Sequence, residues 1–367
     1  MAGTRDRAET MVERATVDVG AGPHLHLGYV KEAGQVWISN TGGSDITVLD
    51  HATGERVGSM SVGMGPAHFV FDAGCRVGYV ALSEADVVAV VDPRAGTVTG
   101  SIALRRGSHP VALMPAFERH RVYAIDPGDG TATAIDTRTN TIAAVIPVGR
   151  EPTWGQPWGS SYKPITRPVG KSYIVNAGSD DLTVFDDATD GPVARVLVGG
   201  HPVRNAIFRE RELIYTANEH DGSVTAVRIA DDTVVATIPA GVRPFRLLPV
   251  EAINGRDELW VLNAGSGDRP AGEITVVSGV RHERVSTVDV VDRPANWVVG
   301  PAGTLFVASS TAGELCVVDV HRGAVIGGAR LAHPPQVGAI SGLMFTEARL
   351  LFVLNADATV TVLAESV

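Results

Sequence analysis

Histidines and arginines are the residues of this chain whose types and spacing could do chemistry. His24 and His26 stand two apart in PHLHL, and His68 lies in PAHF. An imidazole titrates near neutrality and can give or take a proton. Arg204 in PVRN and Arg246 in PFRL follow a proline at the same distance as His68 does. A guanidinium grips a carboxylate, phosphate or enolate through two parallel hydrogen bonds. The set suits proton transfer on an anionic organic molecule: elimination, isomerisation or cyclisation. Arg204 and Arg246 would orient the substrate and stabilise developing negative charge. His26 or His68 would act as base and the other as acid. A metal centre is the sharper variant. Residues two apart on a regular strand share one side, so His24, His26 and His68 could hold zinc, copper or iron with an open position.

These residues recur at fixed places in a repeat. One short pattern appears eight times, among them QVWISN at 35–40, RVYAID at 121–126, LIYTAN at 213–218 and LLFVLN at 350–355. Its aromatic is Trp37, Tyr79, Tyr123, Tyr173, Tyr215, Trp260, Phe306 and Phe352. After each copy come a turn and a second apolar segment such as DITVLD or DLTVFD, then a third such as ERVGSMSVG. A Pro-led segment precedes each copy. Four short strands rich in β-branched residues, in units of roughly 40–45 residues, are the signature of a β-propeller. We expect an all-β, single eight-bladed propeller over 13–367, with 1–12 as an N-terminal extension. A seven-bladed ring is the alternative, and a short helical stretch near 6–14 is the one departure from strand. The eighth unit lacks an outer strand, and ERATVDVG at 13–20 resembles the outer strand ERVSTVDVV at 283–291. The N-terminal strand is therefore expected to close the last blade and hide its edge.

The strings Tyr173-Ile174-Val175-Asn176, Tyr215-Thr216-Ala217-Asn218 and Trp37-Ile38-Ser39-Asn40 resemble the YVTN-type β-propeller repeat family. The resemblance covers about 13 to 363 and implies the fold. It is nearly silent on function, since such propellers include surface-layer modules, periplasmic binding proteins and enzymes.

The inner strands of a propeller line its channel, and function has to be argued from what they carry. Counting back eleven residues from the repeat aromatic, or aligning on the preceding proline, gives His26, His68, Tyr162, Arg204, Arg246, Asn296 and Ser341. The fourth unit also holds a long aromatic stretch, EPTWGQPWGSSYKPITRPVGK. There Trp154, Gln156, Trp158 and Tyr162 are expected to form a lid or stacking wall. Asn296 and Ser341 complete the expected substrate contacts. His109, His201 and His333 each precede a proline, where other units carry Gly65, Glu151, Arg243 and Arg293. These are expected at the channel rim.

Composition narrows the field. Of 367 residues, 44% are hydrophobic, which suffices for a large core. A net charge of −10 argues against general nucleic-acid binding. Cys75 and Cys316 cannot build a disulfide framework. Dinucleotide, P-loop, HExxH and GxSxG motifs are absent. No apolar run approaches a membrane span, and the first twenty residues have no apolar core. The expectation is a cytoplasmic, monomeric or weakly self-associating enzyme with a small anionic substrate and no nucleic-acid or membrane partner. The cofactor is left open, with a transition metal as the candidate. The competing reading is a non-catalytic binding or scaffold propeller.

Overall fold

The computed structural model describes residues 10–366 apart from 21, 23, 158–169, 251–255, 267–271, 312 and 337–341. For 24, 25, 154–157 and 210 it describes the backbone alone. Eight antiparallel four-stranded sheets form the blades of a ring, so the chain is an eight-bladed β-propeller and the seven-bladed alternative falls. The inner strands run His24–Val30, Pro66–Phe71, Ala112–Ala116, Pro152–Pro157, Pro202–Phe208, Pro244–Pro249, Pro294–Val299 and Leu343–Phe345. Neighbouring inner strands abut around the ring, except Pro244–Pro249 and Pro294–Val299, which stand further apart.

Burial explains the repeat. The second strand of each blade lies between two neighbouring blades, so Gln35–Asn40 and Leu213–Asn218 are almost wholly buried and read as continuous apolar runs. The fourth strand is the outer edge, and Arg56–Ser61 buries only Met60. The repeat aromatics are among the largest fully buried side chains. Truncating one to alanine would cost about 3–5 kcal/mol.

Met11–Asp18 pairs antiparallel with Thr359–Glu365, from Met11↔Glu365 to Asp18↔Thr359, as the outer strand of blade 8. The first and last described strands thus close the ring in one sheet. The strand begins at Met11, ahead of the expected boundary at 13. Residues 11–14 are strand and not helix, because Met11 is buried against Leu363 and Leu331 between blades 7 and 8.

Two side-chain devices recur. Within a blade, the asparagine ending the second strand donates from Nδ2 to a threonine on the third: Asn40 to Thr47 at 3.0 Å, Asn176 to Thr183 at 2.9 Å, Asn218 to Thr225 at 2.9 Å and Asn355 to Thr361 at 2.8 Å. Between blades, the repeat tyrosine reaches the turn of the next one. Tyr79 Oη donates to Asn140 Oδ1 (2.6 Å), Tyr123 to Asp190 (2.8 Å) and Tyr173 to Asp232 (2.8 Å). Tyr215 Oη lies 3.3 Å from His282 Nδ1. Asn140, Asp190, Asp232 and His282 all have a positive φ of 54–57° that aims them inward. Blades 1 and 6 carry Trp37 and Trp260 instead, whose Nε1 donates within its own strand, to Gln35 and Glu258. Phe306 and Phe352 have no polar tip. The tyrosine clasps therefore tie blades 2 through 6.

Candidate functional site

A bulge places the functional side chains. Pro66 pairs with Leu82 and His68 with Ala81, so Ala67 is an extra residue in the inner strand. The same shift follows Pro152, Pro202, Pro244 and Pro294, bringing Trp154, Arg204, Arg246 and Asn296 to one equivalent register. Proline at the strand start gives up no ladder bond that an edge position needs, and a bulge re-aims the side chain beyond it. His26 occupies this register in blade 1, opposite Ser39. In blade 8 it falls to Gly342, whose carbonyl accepts from Leu354.

Blades 1 and 2 stand across the ring from blades 5 and 6. His26 and His68 meet edge to face, with ring centroids 4.2 Å apart, and His26 also packs on Phe69 at 4.4 Å. Gly28 makes room for this: a Cβ there would lie 2.6 Å from the Phe69 ring and 3.3 Å from His26 Nε2. The Ser39 hydroxyl accepts from the His26 backbone N–H (3.0 Å) and donates to the Ala67 carbonyl (3.1 Å), which joins the two blades at this point. The backbone N–H of Leu113 donates to His68 Nδ1 at 3.0 Å. That bond puts the single proton of neutral His68 on Nε2. His26 Nδ1 is buried with no hydrogen-bond partner among the described residues.

The electrostatics bind the four residues into one site. Burial, then His68, Arg204 and Arg246, hold the His26 pKa well below its usual value. Burial and then Arg204 lower that of His68 to about 3. Burial lowers the Arg246 pKa to about 10, and burial followed by Arg246 lowers that of Arg204. Guanidinium is so strong a base that both arginines remain charged at neutral pH. Two neutral imidazoles thus face two crowded cations, in a field that would welcome an anion.

The cations open onto a cleft of about 710 Å³, within the range of small-molecule sites. Arg204, Phe245, Arg246 and Ala295 line its depth, and Glu219, Arg243, Arg293 and Ser310 line its rim. It opens where the inner strands of blades 6 and 7 stand apart. Of the residues before the inner-strand prolines, Arg243 and Arg293 line this cleft, and His109, Glu151, His201, Arg243 and Arg293 share a positive φ of 44–57°. Glu219 pairs with Arg243 (Nε to Oε1, 2.8 Å) and with His201 (3.3 Å), and His201 stacks on His220. His333 pairs with Asp357 at 2.5 Å, and His109 Nδ1 lies 2.9 Å from the Ser83 carbonyl.

No family model matches the chain, and no curated protein sequence does. Solved structures share the fold. BamB from Moraxella catarrhalis has a TM-score of 0.65 at 14% identity, over 96% of this chain and 97% of its own. Dihydro-heme d1 dehydrogenase NirN, in complex with DHE, has a TM-score of 0.70 at 15% identity, over 98% of this chain and 76% of its own. Hydrazine synthase of Kuenenia stuttgartiensis has a TM-score of 0.58 at 14% identity, over 81% and 95%. At such identity these likenesses establish the fold alone.

Several expectations need correcting. His24 and His26 do not share a regular strand, because a bulge lies between His24 and Leu27. His68 is also a poor ligand: a coordinating histidine donates its second ring N–H, whereas His68 Nδ1 accepts one. Among the described residues no group of three or more His, Cys, Asp or Glu side chains could hold a metal, and the side chain of His24 lies outside them. Trp154 and Gln156 belong to the inner strand, opposite Val175 and Tyr173, and not to a loop. Trp158, Tyr162 and Ser341 lie outside the described residues. Trp154 and Gly342 hold the registers that counting had assigned to Tyr162 and Ser341. Asn296 is buried at its expected register, with Oδ1 accepting from the Trp297 N–H at 2.9 Å. Sequence reasoning missed Ser39, Phe69 and Leu113. Ser39 left a signal, being the only polar residue at its place in the repeat, where other blades carry Ala81, Ile125, Val175, Ala217, Leu262, Ala308 and Leu354.

Proposed function

We propose that the protein is an enzyme that binds an anionic organic molecule at the channel mouth and moves a proton on it, in a lyase, isomerase or cyclase reaction. The observation that carries this reading is the half-buried Arg204–Arg246 pair, whose charges act on two imidazoles held neutral across the channel. The arginines hold the anionic group and stabilise negative charge that develops beside it. His26 is the proton acceptor. A C–H bond next to the anionic group breaks, the proton passes to His26, and the electron pair forms an enolate facing the guanidiniums. His68, protonated on Nε2, serves as hydrogen-bond donor. Burial, His68 and the two cations suppress His26 as a base. An anion between the cations offsets their charge, so substrate binding itself raises the basicity of His26.

A second reading has its own support. Two imidazoles that stay neutral at physiological pH also suit a receptor that binds an anion without chemistry. Substitution separates the two. In a screen of small organic acids, His26→Ala should abolish turnover while binding changes little, and Arg204→Ala should weaken binding by about tenfold or more. Turnover that survives both substitutions would overturn the catalytic reading. Binding without turnover of any acid would favour the receptor.

A further inference from the structure

The cleft has two tiers of cation. Arg204 and Arg246 lie deep, two residues after an inner-strand proline, while Arg243 and Arg293 sit exposed at the rim, one residue before a proline. Within blade 6 the bulge absorbs one of the three residues between Arg243 and Arg246, so at about 3.3 Å per ladder step the backbone origins of the tiers are about 7 Å apart. Glu219 offsets Arg243. Arg293 has no such carboxylate among the described residues, and its backbone is pinned: the Ser310 N–H (2.9 Å) and Oγ–H (2.8 Å) both donate to its carbonyl. Phe245, Pro294 and Ala295 supply an apolar wall between the tiers. A single carboxylate would fill a small part of about 710 Å³.

We propose that this cleft selects molecules with two anionic groups joined by a short carbon chain, one group held by Arg204 and Arg246 and the other by Arg293. The proposal deepens the reading above and rests on it. The carbon spacer lies along Phe245 and Ala295. One anionic end is fixed deep in the channel, facing the histidines, and the rim arginine fixes the other. The rim contact adds affinity and orientation without touching the reacting atoms.

The test compares acids of equal chain length by calorimetry at constant ionic strength: glutarate against pentanoate, and pimelate against heptanoate. The proteins are the full chain, Arg293→Ala and Arg246→Ala, each checked for an unchanged melting temperature. We expect at least one diacid to bind about tenfold or more tighter than its monoacid partner. Arg293→Ala should erase that advantage and leave the monoacid unchanged, whereas Arg246→Ala should weaken both. Diacids no tighter than monoacids, or an advantage that survives Arg293→Ala, would overturn the two-anion inference while the single-anion site stands. Binding that ignores Arg246, or no binding by any of the four acids, would overturn both.

Discussion

A single substitution within the repeat isolates what one buried charge does. Asp126 stands where blades 1, 4, 5, 6 and 8 carry the bridging asparagine. Thr133 and Thr131 donate to its Oδ2, and its Oδ1 is buried with no hydrogen-bond partner among the described residues. Burial raises its pKa to about 7. In the unfolded chain an aspartate titrates near 3.9. Between these values the folded state binds more protons, so stability falls as pH rises from about 4 to 7 and is level above. Asp126→Asn should raise the unfolding free energy at pH 8 by on the order of 2–4 kcal/mol, with the gain vanishing below about pH 4. Denaturant titrations at both pH values would show it, and an equal shift at both would refute the assignment. At the same scale, Gly28→Ala should drive Phe69 and His26 apart and slow turnover while anion binding changes little. Unchanged turnover would mean that the close ring contact is not needed.

At the scale of strands and turns, much of the site was legible because a proline anchors each bulge. Counting from the proline found Arg246 and Asn296 where counting back from the aromatic failed. The hairpin between the first and second strands can change length without disturbing the bulge before it, and in blade 4 it did. This is why Trp154 and not Tyr162 holds the channel register. Blade 8 lacks the proline at that distance, and there the count missed by one residue. The bulge after His24 was not legible, since nothing in PHLHL distinguishes it from a regular strand. The clasps were visible only as an aromatic preference, because each partner lies 59–67 residues away. Tyr173→Phe should remove the bond to Asp232 at a cost of about 1–2 kcal/mol and leave anion binding intact. Chemical denaturation reads the first and calorimetry the second. No loss of stability would show that the clasp is incidental.

For the whole ring, the fold followed from eight copies of one pattern. The closing strand followed from its likeness to an outer strand elsewhere. Deleting residues 1–18 would bare the edge of Thr359–Glu365 and uncover Leu363. We expect a lower melting temperature and concentration-dependent aggregation. A truncated chain as stable and as soluble as the full one would show that closure does not depend on this strand. The cleft opens between blades 6 and 7, outside the run joined by tyrosine clasps. The positive channel is local: the chain as a whole carries −10, so overall charge did not reveal an anion site. It was the repeat register, placing Arg204 and Arg246 on the neighbouring inner strands of blades 5 and 6, that pointed to it.

The central claim is that burial, the neighbouring His68 and two cations across the channel together hold His26 neutral. The most direct measurement is the titration of the His26 imidazole by NMR in the parent protein and in Arg204→Gln/Arg246→Gln. The account requires His26 to stay neutral well below pH 6.5 in the parent, and its pKa to rise when both charges are gone. A parent His26 that titrates near 6.5, or a pKa that ignores the loss of both arginines, would contradict it.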